Sequence, residues 1–147
     1  MRKIERIFVH CTASRQSATV NDIKAEFKKK GWKNPGYHYL IDKSGVISQL
    51  LDDSGVSNGV KGYNSTSINV AYIGGIDDTG KGVDNRTEEQ KKSLRSLLKI
   101  LHKKYPDADI MGHRDISPDQ NNNEIVDSWE RIKECPCFNA KEEYKDL

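Results

Sequence analysis

The run Ile4-Glu5-Arg6-Ile7-Phe8-Val9-His10 reads as a β-strand: β-branched and aromatic residues crowd it, Ile4, Ile7 and Val9 stand among polar neighbours, and it ends at a histidine. Far along the chain Ala108–Met111 (ADIM) is a second short strand, and it runs into Gly112-His113-Arg114-Asp115. Two strand ends therefore carry imidazoles. Between them strand-like and helix-like signals alternate, so the expected class is α/β (α+β) rather than a helix bundle or a β-sandwich.

After the first strand, Thr19 is suited to cap a helix whose third residue is Asp22. Val20, Ile23 and Phe27 share one face of it, Lys28, Lys29 and Lys30 fill the last turn, and Gly31 stops it. Tyr37–Asp42 (YHYLID) and Val46–Leu51 (VISQLL) are strands joined by Lys43-Ser44-Gly45, a hairpin signal. Residues 55–67 and 77–85 are loops by their Gly, Ser, Asn and Asp content, and Ile68–Ile73 (INVAYI) is a buried strand closed by Gly74-Gly75. Thr87 with Gln90 forms a second capping box. Leu94, Leu97, Leu98 and Leu101 then recur at helical spacing until Tyr105-Pro106, and they read as packing, not function. A short helical turn is expected around Trp129–Ile132, and the charged tail, residues 141–147, is expected to fray.

A chain of 147 residues is one ordinary domain, expected over residues 1–147 with a core from about residue 4 to 138. Lys+Arg 24 against Asp+Glu 22 leaves +2, too balanced for a protein whose affinity comes from neutralising phosphates, so nucleic acid is not the expected partner. No apolar run approaches the roughly 18 residues of a membrane span, and the start, Met-Arg-Lys-Ile-Glu-Arg, lacks a secretory apolar segment. The expectation is a monomer made in the cytoplasm without Sec export. Three cysteines, Cys11, Cys135 and Cys137, are too few for a disulfide framework and an odd number, which a reducing compartment or a metal explains better.

The chemistry must come from side chains at converging backbone ends. Zinc prefers imidazole and thiolate in tetrahedral array, and a catalytic site keeps three protein ligands and one open position. His10, His113 and Cys135, from two strand ends and a loop, are the candidates. Spacing alone leaves a second reading open, in which the two histidines are ordinary half-buried imidazoles, because there is no CxxC or HExxH signature.

Several runs occur in a particular order: Phe8-Val9-His10-Cys11-Thr12-Ala13-Ser14, Gly31-Trp32, Gly36-Tyr37-His38-Tyr39-Leu40-Ile41, Lys61-Gly62-Tyr63-Asn64, Ser67-Ile68-Asn69-Val70, Gly74-Gly75-Ile76-Asp77-Asp78, Gly112-His113-Arg114-Asp115 and Lys133-Glu134-Cys135-Pro136. In this the chain resembles the zinc N-acetylmuramoyl-L-alanine amidases of the phage T7 lysozyme type and, more widely, the peptidoglycan recognition proteins. The likeness extends from about Ile7 to Phe138. It implies a central mixed sheet of about five strands flanked by helices, with a peptidoglycan groove and a Zn2+ at its floor. It also implies His10, His113 and Cys135 as the metal ligands, with Tyr37 beside the metal and Lys133 two residues before the thiolate as catalytic groups. A water activated at such a site would attack the lactoyl carbonyl that joins muramic acid to L-alanine, and Tyr37 and Lys133 would orient it or donate to the oxyanion.

Bland readings stand beside these. Tyr37 also fits a strand-end core aromatic, and Lys133 a solvated helix charge. His38 and His102 read as structural, Cys11 should face away from the metal by strand alternation, and only the family position favours Cys135 over Cys137. Relatives often carry a histidine before the KGYN loop, where this chain reads Ser57-Asn58-Gly59-Val60-Lys61-Gly62, so a substrate-side imidazole is missing. Asp119, Asn121, Asn123, Asp127 and Glu130 match positions of a calcium loop whose sixth residue, Glu124, replaces the usual glycine, and a plain Asn-rich loop is the alternative. The functional expectation is a zinc-dependent hydrolase of the muramoyl–L-alanine amide, a phage endolysin or a bacterial cell-wall enzyme. A non-catalytic peptidoglycan-binding module of the same fold is the alternative, and a nucleic-acid-binding structural zinc protein is disfavoured.

Overall fold

Strand β1 (Arg6–Cys11) has five consecutive buried residues and β4 (Ser67–Tyr72) has six, the pattern of strands covered on both faces. They pair in parallel at the centre of the sheet. In the computed structural model, which describes residues 2–116 and 135–147, the described residues form one sheet in the order β3-β2-β4-β1-β5. Here β2 is Tyr39–Ile41, β3 is Ile47–Gln49 and β5 is Asp109–Gly112. β2, β4, β1 and β5 run parallel, and β3 is antiparallel to β2 through the expected hairpin. The sheet is thus mixed and five-stranded.

Both long helices start where local chemistry dictates. Thr19 and Asp22 cap α1 (Val20–Lys29), and Thr87 and Gln90 cap α2 (Glu88–Lys104), each by reciprocal side-chain and backbone hydrogen bonds. Gln90, fully buried, also donates to the carbonyls of Ile41 and Ile73, which ties the start of α2 to the ends of β2 and β4. Leu94, Leu97, Leu98 and Leu101 pack on Ile7, Val9, Ile68, Val70 and Tyr72. Ile23 and Phe27 of α1 pack with Leu40, Ala71 and Ile73 in a second cluster. Each fully buried leucine or isoleucine contributes about 1.5–3 kcal/mol, so the two clusters anchor the sheet on both sides. None of the helices among the described residues is long and apolar enough to cross a membrane.

The expected frayed tail is corrected by the structure. Ala140 of α3 (Ala140–Glu143) and Tyr144 are buried in the larger core cluster, and α3 packs against β5. What holds the tail is Arg86, a guanidinium buried over the Phe138 ring at 3.4 Å. It bonds Asp84 at 2.8 and 2.9 Å and Glu143 at 2.6 and 2.8 Å. Such two-pronged pairing leaves little guanidinium unsatisfied. Its partners are about one-third exposed, so Arg86→Ala is expected to cost about 2 kcal/mol, below the value for a fully buried pair. The hydrogen bonds from Arg86 hold the Glu143 carboxyl below its ordinary value of 4.5. A depressed carboxylate stabilises the fold above that ordinary value and loses the contribution as pH falls through the folded value. Thermal melts taken down to about pH 3 should therefore show a steeper acid loss in the parent than in Arg86→Ala.

The calcium-loop residues Asp119, Asn121, Asn123, Asp127 and Glu130, the turn at Trp129–Ile132, and Lys133 lie outside the described residues.

Candidate metal centre

β1 and β5 are parallel neighbours, so their carboxyl ends open on the same edge of the sheet, where α/β folds place their ligands. His10 is the penultimate residue of β1, and His113 follows β5 as the first residue of a 3-10 turn, His113–Ile116. Their rings meet edge to face at 5.0 Å between centroids. Cys135 enters from the C-terminal segment. Its carbonyl accepts from Arg114 N–H at 2.8 Å, and the carbonyl of Pro136 accepts from the Tyr72 hydroxyl at 2.7 Å. The thiol is thereby pinned to the ends of β4 and β5.

Candidate ligand atoms of His10, His113 and Cys135 all lie within 4.8 Å of one another. Cys135 Sγ stands 3.9 Å from His10 Nδ1. Zinc–nitrogen and zinc–sulfur bonds of about 2.1 and 2.3 Å put tetrahedral ligands roughly 3.4–3.6 Å apart, so this set needs only a small contraction to hold the ion. The donors fit in kind as well, since two imidazoles and a thiolate suit zinc better than calcium or magnesium. Cys11 N–H donates to Cys135 Sγ at 3.1 Å.

The other candidates are placed as follows. Tyr37 packs beside His10 at 5.2 Å between ring centroids, its hydroxyl 3.4 Å from the Cys11 carbonyl. Burial pushes its phenol well above the ordinary range, so the hydroxyl is a proton donor. Cys137 stands apart from the three-residue group, its Sγ donating to the Gly75 carbonyl at 3.4 Å. The Cys11 side chain belongs to the core on the α2 side, as alternation implies, yet its sulfur still touches the other two cysteines. Hydrogen bonding to Cys135 and burial push that thiol up to about 12. Tyr37 and His38 precede β2, so alternation does not reach them. His38 is nonetheless structural: its Nδ1 accepts from Asn69 N–H at 3.1 Å and its Nε2 lies 2.8 Å from the Gly55 carbonyl.

The three candidates line a cleft of about 220 Å³. Phe27, Lys30, Trp32, Asn58 and Gly59 also line it. Sequence reasoning passed over one residue of this site. Asn69, fully buried in β4, sits diagonally across from His10 and accepts at 2.7 Å from its Nε2. A polar side chain at the second position of the otherwise apolar run INVAYI was the available signal.

The family model described as N-acetylmuramoyl-L-alanine amidase matches residues 1–136. The endolysin of Escherichia phage T7 is 38% identical over 139 residues, 93% of this chain and 83% of that protein. Among solved structures, the N-acetylmuramoyl-L-alanine amidase LysC from Clostridium intestinale superposes with a TM-score of 0.76 at 27% identity, over 99% of this chain and 85% of that one. Drosophila PGRP-LB shares the fold alone, with a TM-score of 0.68 at 17% identity, over 92% of this chain and 76% of that one. The match runs through β1 and β5, the strands that carry the two histidines, and ends at the proline after Cys135; the chain belongs to the N-acetylmuramoyl-L-alanine amidase family.

Proposed function

We propose that the chain is a zinc-dependent hydrolase that cleaves the amide between N-acetylmuramic acid and L-alanine in peptidoglycan. The observation that carries this reading is the convergence of His10, His113 and Cys135 at the floor of a cleft, in a member of an amidase family. His10, His113 and Cys135 would hold the ion, which when bound supplies a Lewis acid for the carbonyl and lowers the pKa of water toward neutrality. Tyr37 donates a hydrogen bond toward the developing oxyanion from a hydroxyl that burial keeps protonated. Lys133 adds positive charge, the role its place in the Lys133-Glu134-Cys135 run supports. Trp32 and Asn58, which line the cleft, orient the peptidoglycan strand. The cell wall is accordingly the partner and the place of action.

The test is lysis of purified sacculi followed by turbidity. Protein stripped with a chelator should lose hydrolysis, and one equivalent of zinc should restore it. Full activity in metal-free protein would overturn the proposal, while binding to sacculi without hydrolysis in the zinc-loaded protein would favour a binding module.

A further inference from the structure

We propose that Asn69 is the positioning residue of this metal centre, resting on the zinc reading above: its carboxamide oxygen accepts a hydrogen bond from His10 Nε2–H and so turns the Nδ1 lone pair toward Cys135. The donor–acceptor logic is fixed by atom type. The Asn69 Oδ1 only accepts, so at 2.7 Å from His10 Nε2 that nitrogen carries the hydrogen. A neutral imidazole has one N–H, which leaves Nδ1 as the basic nitrogen, and Nδ1 is the atom that faces Cys135 Sγ.

The carboxamide is itself held on every side. Its Nδ2 donates to Ser57 Oγ at 2.6 Å. Its backbone N–H donates to His38 Nδ1 at 3.1 Å, and its carbonyl accepts from His38 N–H at 2.8 Å. His10, Ser57, Asn69 and His38 are all buried, so no water competes for these bonds and an unmet partner would be costly. Gly59 completes the seat. A Cβ built there would lie 2.4 Å from Asn69 Cγ and 2.5 Å from Oδ1, so only glycine lets the amide occupy this place. The stretch Ser57-Asn58-Gly59 thus supplies both the hydroxyl that holds the amide and the space that it fills. A ligand imidazole whose outer nitrogen is bonded gains orientation and basicity, and loss of that partner typically weakens metal binding about 10–100-fold.

Two readouts other than activity decide it. Nitrogen-15 spectra of the metal-free protein, recorded above the imidazole titration, should show His10 as the Nε2–H tautomer in the parent and in Asn69→Asp, which keeps an acceptor. Asn69→Ala should lose that preference. Zinc affinity by chelator competition should fall about 10–100-fold in Asn69→Ala and hold at the parent level or above in Asn69→Asp. Gly59→Ala, which pushes the carboxamide off its seat from outside, should weaken zinc in the same direction and carries the test if Asn69→Ala does not fold. Parent affinity together with an unchanged tautomer in Asn69→Ala overturns the proposal. An Asn69→Asp protein as weak as Asn69→Ala also overturns it, since packing alone would then be the role. A parent that binds no zinc sinks the metal reading, while the tautomer comparison still decides what Asn69 does to His10.

Discussion

Cys135→Ser is expected to lose its zinc and to drop amide hydrolysis by at least about a thousand-fold, the scale on which metal activation of water contributes. A serine hydroxyl stays protonated at neutral pH and is a poor zinc ligand, whereas the thiolate is a strong one. The variant should stay folded. Leu94, Leu97, Leu98 and Leu101 on the sheet carry the core, and the Cys135 backbone keeps its bond to Arg114. Binding to peptidoglycan should persist, because the cleft walls are untouched. Cys137→Ser is the matched control: its sulfur stands outside the three-residue group, so metal and activity should remain. Zinc analysis and hydrolysis on both variants, with circular dichroism, read this out. Zinc lost from Cys137→Ser and kept in Cys135→Ser would move the ligand by two residues.

Gly75→Ala should be the most damaging change outside the site, costing about 3–5 kcal/mol when backbone strain and overpacking are added. Gly75 has φ +101°, and a Cβ there would stand 2.5 Å from Cys11 Sγ and 2.7 Å from Cys11 Cβ. Cys11, the last residue of β1, is buried and has little room to step aside. Its backbone N–H is the donor to Cys135 Sγ, so the same push that destabilises the fold should also lower zinc occupancy. Chemical denaturation and metal analysis measure the two effects on one preparation. A loss below about 1 kcal/mol would contradict the packing described here.

How far the sequence carried the fold depended on how local each cause is. The capping pairs Thr19–Asp22 and Thr87–Gln90 lie three residues apart, and both helices begin as read. The strands were found in order but with shifted ends: β1 starts at Arg6 and β2 at Tyr39, because pairing with neighbours, not propensity, decides where a ladder begins. The tail misled because its charge is visible and its partner is not; Arg86 lies 57 residues before Glu143. For the site, His10 and His113 were legible as strand-end imidazoles, while nothing local separated Cys135 from Cys137. In the structure Cys135 Sγ lies with the two imidazoles, while Cys137 Sγ donates to the Gly75 carbonyl. Asn69 shows in the sequence only as a polar residue in an apolar run, because its setting comes from a diagonal neighbour on another strand and from the absence of a side chain at Gly59.

The most direct measurement is the chemistry of the product. Purified sacculi digested by the zinc-loaded protein should release stem peptides with new L-alanine amino termini in proportion to lysis, with no new reducing sugar ends, since a metal site at His10, His113 and Cys135 calls for amide hydrolysis without the paired carboxylates of a glycosidase. Reducing ends that rise in step with lysis, without new alanine amines, would contradict the account.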